Sequence, residues 1–190
     1  MKAFEDYEST PEFSESVKLP AGAYEVTLKR AEDTEKAICI LFDISSGEYK
    51  NYFLDKFNSD KIAYQENVKF KGVFRLWYPK ETDKNPEAVK SIMKTALKLI
   101  KDENKLNVDF SKEWDGAVFK NAKIGMIFRD KEYNYNGYHG FTAEPYKLIS
   151  IDDLKNGKYT IPEPKKLEIP ANTYSDNVSA QSLSDEDLPF

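Results

Sequence analysis

The chain has 190 residues, 40% hydrophobic and 32% charged, with a formal net charge of −5. That length suits one ordinary domain with appended segments, and no stretch approaches the roughly 18 uncharged apolar residues of a membrane span. A single cysteine, Cys39, excludes an internal disulfide and a cysteine-cluster zinc site, and a single histidine, His139, leaves the usual histidine-based catalytic and metal constellations nearly out of reach.

The start, Met1 to Asp6, is acidic and has no apolar core, so no secretory signal is expected, and with one cysteine the expected setting is a reducing cytoplasm. No nucleotide-binding glycine loop, zinc-protease helix or nucleophile elbow occurs. The expectation is therefore a protein that is not an enzyme and uses neither cofactor nor metal.

Residues 1–16 carry Glu5, Asp6, Glu8, Glu12 and Glu15 against one lysine, mixed with Phe4, Tyr7 and Phe13, and form an acidic N-terminal arm. The domain is expected over 17–167. After the turn signal Leu19-Pro20-Ala21-Gly22, Tyr24, Val26 and Leu28 alternate with polar residues, which predicts a half-buried strand over 24–30. A polar turn at 31–35 leads into a second strand, Ala37 to Ile44, with Ile38, Ile40, Phe42 and Ile44 on one face. Residues 47–66 show no clear period. Asn67 to Tyr78 gives the clearest strand pattern.

Asn85 as cap, Pro86 at the first helical position, and Val89, Ile92, Met93, Ala96, Leu97 and Ile100 at three- and four-residue spacing predict a helix over 86–101. A loop around Trp114-Asp115-Gly116 precedes a strand from Lys120 to Arg129. An aromatic loop follows over 131–140, then a strand from Phe141 to Ile151 and a turn over 152–158. Residues 168–190 hold five acids and no base, and are expected to be a disordered tail. Removing both acidic ends leaves 27 basic and 23 acidic residues, so the central segment is mildly basic.

Three strands, a helix and two strands is the element order of an OB-fold, a five-stranded Greek-key barrel that binds oligonucleotides on one face and in its loops. The expected class is mainly β with one helix between the third and fourth strands. Side chains of a strand alternate between its faces. In 67–78, Val68, Phe70, Phe74, Leu76 and Tyr78 fall on one side, and Lys69, Lys71, Val73, Arg75 and Trp77 on the other.

Cations with an indole suit a single-stranded nucleic-acid groove, charge for phosphates and a flat ring for bases; an ordinary solvated face has a similar composition. In 120–129 the apolar set Ala122, Ile124, Met126 and Phe128 opposes Asn121, Lys123, Gly125, Ile127 and Arg129. Gly125 marks a bulge or a close backbone approach. Tyr133, Tyr135 and Tyr138 in the aromatic loop are candidate stacking residues, unless the segment is a β-ribbon with rings packed across its strands. His139 there is expected to stack or hydrogen-bond, and Cys39 to be buried.

The chain ends Ser184-Asp185-Glu186-Asp187-Leu188-Pro189-Phe190, three carboxylates and an apolar hook. A partner with a basic rim and an apolar pocket could capture it. At Asp185 to Phe190 the sequence resembles the C-terminal tip of bacterial-type single-stranded DNA-binding proteins, with Leu188 where isoleucine is usual. That resemblance implies docking of replication, recombination and repair proteins by the tip, and competition of the tip with DNA for the basic groove. Segments 19–24, 44–52 and 149–158 resemble phage-encoded proteins of Gram-positive hosts, some described as single-stranded DNA-binding proteins.

Together the expected function is sequence-independent single-stranded DNA binding in phage replication or recombination, inside a bacterial host, with no membrane role. A homo-oligomer is compatible with it. The groove would use Lys69, Lys71, Arg75, Lys123 and Arg129 for phosphates, and Trp77, Tyr133, Tyr135 and Tyr138 for bases. The alternative is an adaptor or decoy that uses the same tail and binds no DNA.

Overall fold

A computed structural model of the protein describes residues 17–64, 68–135 and 137–167. The expected arm over 1–16, the tail over 168–190 and its tip at 185–190 lie outside the described residues. Five strands and three helices follow one another as β1 (Gly22–Asp33), β2 (Ala37–Ile44), α1 (Tyr52–Tyr64), β3 (Val73–Trp77), α2 (Pro86–Asn104), β4 (Lys123–Tyr135), β5 (Tyr138–Ile149) and α3 (Ile151–Lys155), with a 3-10 turn at Gly116–Phe119 before β4. The fold is mainly β, an open antiparallel sheet of order β3-β2-β1-β4-β5. No helix among the described residues is long and apolar enough to cross a membrane.

The first hairpin forms where the alternation predicts it. Val26, Leu28, Ile38, Ile40, Phe42 and Ile44 are all buried, in register from Val26↔Ile44 to Asp33↔Ile38. An extra residue between Leu28 and Arg30 shifts that register, and a bulge of this kind bends and twists the sheet. On its other side β1 pairs with β4 from Gly22↔Phe128 to Thr27↔Lys123. There Ile124, Met126 and Phe128 enter the core as expected. Each such fully buried side chain contributes about 1.5–3 kcal/mol of transfer free energy.

Gly125 is a point of close approach. A Cβ there would stand 2.7 Å from Ile149 Cγ1 and 3.0 Å from the Ile149 carbonyl oxygen. With Ile127 also buried, the middle of this second face of β4 is covered, not open as the alternation alone suggests.

Segment 47–66, unassigned by periodicity, contains α1. Over 52–63 only Phe53 of this helix is deeply buried; its ring sits 5.2 Å from that of Phe42 and stacks 6.2 Å from that of Phe128. Asp43, 1% exposed on β2, fixes the start of α1. Its Oδ1 accepts from the Ile44 and Phe53 N–H groups at 2.9 and 3.0 Å, and its Oδ2 from the Leu54 N–H at 3.0 Å. A carboxylate at this helix end satisfies otherwise unpaired donors and opposes the positive end of the helix dipole.

The strand expected over 67–78 is shorter, Val73–Trp77, and begins beyond Gly72. A Cβ at Gly72 would lie 2.3 Å from the Phe42 carbonyl oxygen, so the chain passes too close to β2 there for any larger residue. In α2, Asn85 Oδ1 accepts from the Ala88 N–H at 3.0 Å and Pro86 opens the first turn. The C-terminal half of α2 buries Ala96, Leu97 and Ile100, while Ile92, expected in the core, is 67% exposed. The helix meets the core through Met93 and its second half, and Ile92 is left to solvent. Ile151, expected to end the last strand, and residues 152–155, expected within a turn, form α3, with Ser150 Oγ accepting from the Asp153 N–H.

Candidate nucleic-acid interface

β4 and β5 outrun the rest of the sheet. The aromatic segment expected to be a loop is instead the end of their hairpin, paired without interruption from Phe128↔Pro145 to Tyr135↔Tyr138. From Arg129↔Glu144 outward the ribbon is about 20 Å long, at roughly 3.3 Å per residue. Alternation puts Arg129, Lys131, Tyr133 and Tyr135 on one face, with partners Glu144, Thr142, Gly140 and Tyr138. Tyr135 and Tyr138 are 72% and 76% exposed, so these rings pack little across the strands.

The opposite ribbon face has a structural role. Glu132 Oε1 meets His139 Nε2 at 2.6 Å, while its Oε2 accepts from the Leu167 N–H at 2.9 Å. Hydrogen bonding from His139, then from Leu167, holds the Glu132 carboxyl below its usual value. Lys165 pairs in parallel beside Lys131, covering the β4 edge that β1 leaves free.

The sheet order leaves β3 and β5 as edge strands, unpaired with each other among the described residues. Between them lies a cleft of about 910 Å³, walled by Lys71, Arg75 and Trp77 from the β3 side, by Arg129, Lys131 and Tyr146 from the ribbon, and by Val89, Ile92 and Met93 of α2. Among the described residues, eight bases line it against two acids, although acids outnumber bases in the whole chain. One of those acids, Asp83, is engaged locally by the Lys80 N–H at 2.7 Å.

The other acid organises the ribbon side. Arg129 donates to Glu144 Oε1 from Nε at 3.0 Å and from Nη2 at 2.7 Å, and Lys131 Nζ lies 3.3 Å from Oε2. Burial opposes ionisation of Glu144, but the hydrogen bonds and charges of Arg129 and Lys131 outweigh it and hold the carboxyl below 4.5. The guanidinium also stands 4.8 Å from the centre of the Tyr146 ring. Tyr146 is the extra residue of a bulge, since Ile127 pairs with Lys147 and Phe128 with Pro145. Such bulges re-aim side chains.

Of the expected site residues, Lys71, Arg75, Trp77 and Arg129 meet in this cleft. Trp77 is 53% exposed, an apolar ring left open to solvent. Tyr133, Tyr135 and Tyr138 extend the same ribbon face outward. Lys69 is exposed but does not line the cleft. Lys123 lies towards the other end of β4, paired with Glu25 at 2.8 Å, and does not line it either. Lys18, Lys131, Tyr146 and Lys165 join the cleft without having been anticipated.

Lys131 was legible in principle, being two residues from Arg129 and from Tyr133. His139 hydrogen-bonds as expected, and Cys39 is only half-buried. Among the described residues no group of three or more His, Cys, Asp or Glu is placed to hold a metal ion. The chain matches no protein-family model and no curated protein sequence.

Proposed function

We propose that the β3–β5 cleft binds single-stranded nucleic acid without sequence preference, and that the protein acts by binding, not by catalysis. One observation carries this reading: eight cations against two acids around an opening that also exposes Trp77 and Tyr146. Cations neutralise phosphates, and flat rings stack on any base because every base has a π-face. The strand order supports an OB-like reading. β4 lies beside β1, and a long connection bearing α2 brings the chain back from β3, as in a Greek key. A partly open five-stranded barrel of that kind uses its face and loops for oligonucleotides.

DNA as the ligand, a phage setting within the bacterial cytoplasm, and recruitment of replication or repair proteins by Asp185 to Phe190 rest on the resemblance of the tip. The test is a fluorescence titration with oligo-dT at several salt concentrations. A net excess of six cations in the cleft gives a log K against log[salt] slope of up to about −4, at roughly 0.7 per phosphate on single strands. Absence of saturable Trp and Tyr quenching would leave the adaptor reading in its place. Pull-downs from host extract with and without the last six residues check the tip, and identical partners in both would refute its role.

A further inference from the structure

The described chain begins at the cleft. Lys18 and Leu19 both line it, and Leu19 is held there by burial to 2% and by donation of its N–H to Tyr52 Oη at 3.4 Å. Residue 16 is therefore attached two positions from a cleft residue. The sixteen residues that precede Val17 hold five carboxylates, three aromatic rings and one lysine. The cleft offers the complement of both features: a net excess of six cations, and the exposed Trp77 and Tyr146 rings beside Ile92. Acids spaced among rings imitate what a nucleic-acid strand presents, negative charge and flat apolar surface in alternation.

We propose that residues 1–16 are an intramolecular occupant of the β3–β5 cleft and must be displaced before a nucleic-acid strand can enter. Sixteen residues can span up to about 50 Å, so each of the five acids can reach the cleft. A tether this short places them at an effective concentration on the order of 1 mM. A segment with an intrinsic dissociation constant of roughly 0.1 mM at low salt then suppresses binding of a competitor about tenfold. The interaction is between exposed charges and weakens as salt rises.

The C-terminal tail is the other acidic segment, and Lys165, three residues before it, lines the cleft as Lys18 does at the other root. The two differ in where their charge lies along the chain. All five acids of the arm fall within twelve residues of Val17, interleaved with three rings, whereas only Glu168 and Asp176 of the tail's five fall within twelve residues of Leu167. Displacement by nucleic acid rests on the function proposed above, whereas docking of the arm does not, and the two parts are tested separately.

Docking is read by paramagnetic broadening in the full-length protein, with Cys39→Ser and a nitroxide on Glu8→Cys. The expected result is broadening of the Trp77 indole N–H and the Arg129 and Lys131 amides, lost when Glu5→Gln, Asp6→Asn, Glu12→Gln and Glu15→Gln are added. No broadening there, or broadening of the same signals only from a label on Ser184→Cys in the tail, overturns the inference.

Displacement is read by oligo-dT affinity. The four-acid variant of the arm should bind about tenfold tighter than wild type at 50 mM salt, with the gap closing by 0.5 M. A control with equal charge change away from the cleft, Glu32, Glu35, Glu48 and Glu113 each to Gln, should show much less. Equal gains in both variants overturn displacement. If no variant binds oligo-dT, the nucleic-acid reading falls, and the broadening alone decides whether the arm docks.

Discussion

Glu144→Gln probes the ribbon wall of the cleft with one conservative change. In the wild type, Glu144 ties up both Arg129 nitrogens that face it and draws Lys131 to 3.3 Å, so the three residues together carry a single net positive charge. Replacing the carboxylate leaves two. A unit charge about 6 Å from a phosphate, near a surface where water screens strongly, is worth roughly 1 kcal/mol. Oligo-dT affinity should rise about fivefold at 50 mM salt. The log K against log[salt] slope should steepen by about 0.7 if one freed cation finds a phosphate.

The same substitution has a stability cost that separates it from a general charge effect. The folded carboxyl titrates below its ordinary 4.5, so its stabilisation is fully present above that value and is lost as pH falls through the lower folded one. Losing this partly buried pair costs about 1 kcal/mol at pH 7, or roughly 2–4 °C in Tm for a chain of this size. The gap between wild type and variant should close on acidification below 4.5. Unchanged affinity and unchanged salt slope, with the Tm effect present, would show that the ribbon wall is outside the binding path.

Lys71→Ala and Arg75→Ala should each flatten the salt slope by about 0.7, while Lys69→Ala, off the cleft, should leave it unchanged; salt titrations of the three variants decide this. Trp77→Ala should lose about 1–3 kcal/mol of oligo-dT affinity, with Tm nearly constant because the ring is already half in solvent. A large fall in Tm would make Trp77 a packing residue. Asp43→Ala strands the N–H groups of Phe53 and Leu54 at the start of α1 and should destabilise the protein by about 3 kcal/mol in urea unfolding. A change under 1 kcal/mol would mean that water replaces the cap.

The elements that the sequence reveals are those whose apolar sets are complete within one segment. β2 shows four alternating core residues, and α2 carries its own cap and first-turn proline. α1 stays hidden because, over 52–63, Phe53 is its one deeply buried side chain, and the half-buried set Tyr52, Lys56, Phe57 and Asp60 keeps the helical period but mixes two charged residues with the rings. Its cap is also displaced: Asp43 sits nine residues before Tyr52, across a turn, not at the adjacent position where a cap is sought. The ribbon was half legible. Tyr133 and Tyr135 keep the two-residue period, and Asn136-Gly137 is a strong hairpin dipeptide, but the many polar residues between them read as a loop. The cleft is the least legible feature, since its cations come from positions as far apart as Lys18 and Lys165 and share no spacing.

Cations along two edge strands have a second physical reading, which the composition of the cleft weighs against. Unpaired strand edges invite pairing with other chains, and lysines there suppress it. β3 and β5 are the edges of this sheet, so Lys71, Arg75 and their neighbours serve that end whatever else they do. Edge protection, however, calls for charge alone. It gives no reason to leave an indole 53% exposed in the cleft that Arg75 and α2 also line, or to place Tyr146 by a bulge under the Arg129 guanidinium. It gives still less reason to carry Tyr135 and Tyr138 about 20 Å along a ribbon face that continues the cleft, since exposed rings on an edge promote the association that lysines prevent. Charge and rings together on one continuous face are what a single strand of nucleic acid requires, and edge protection accounts for the charge only.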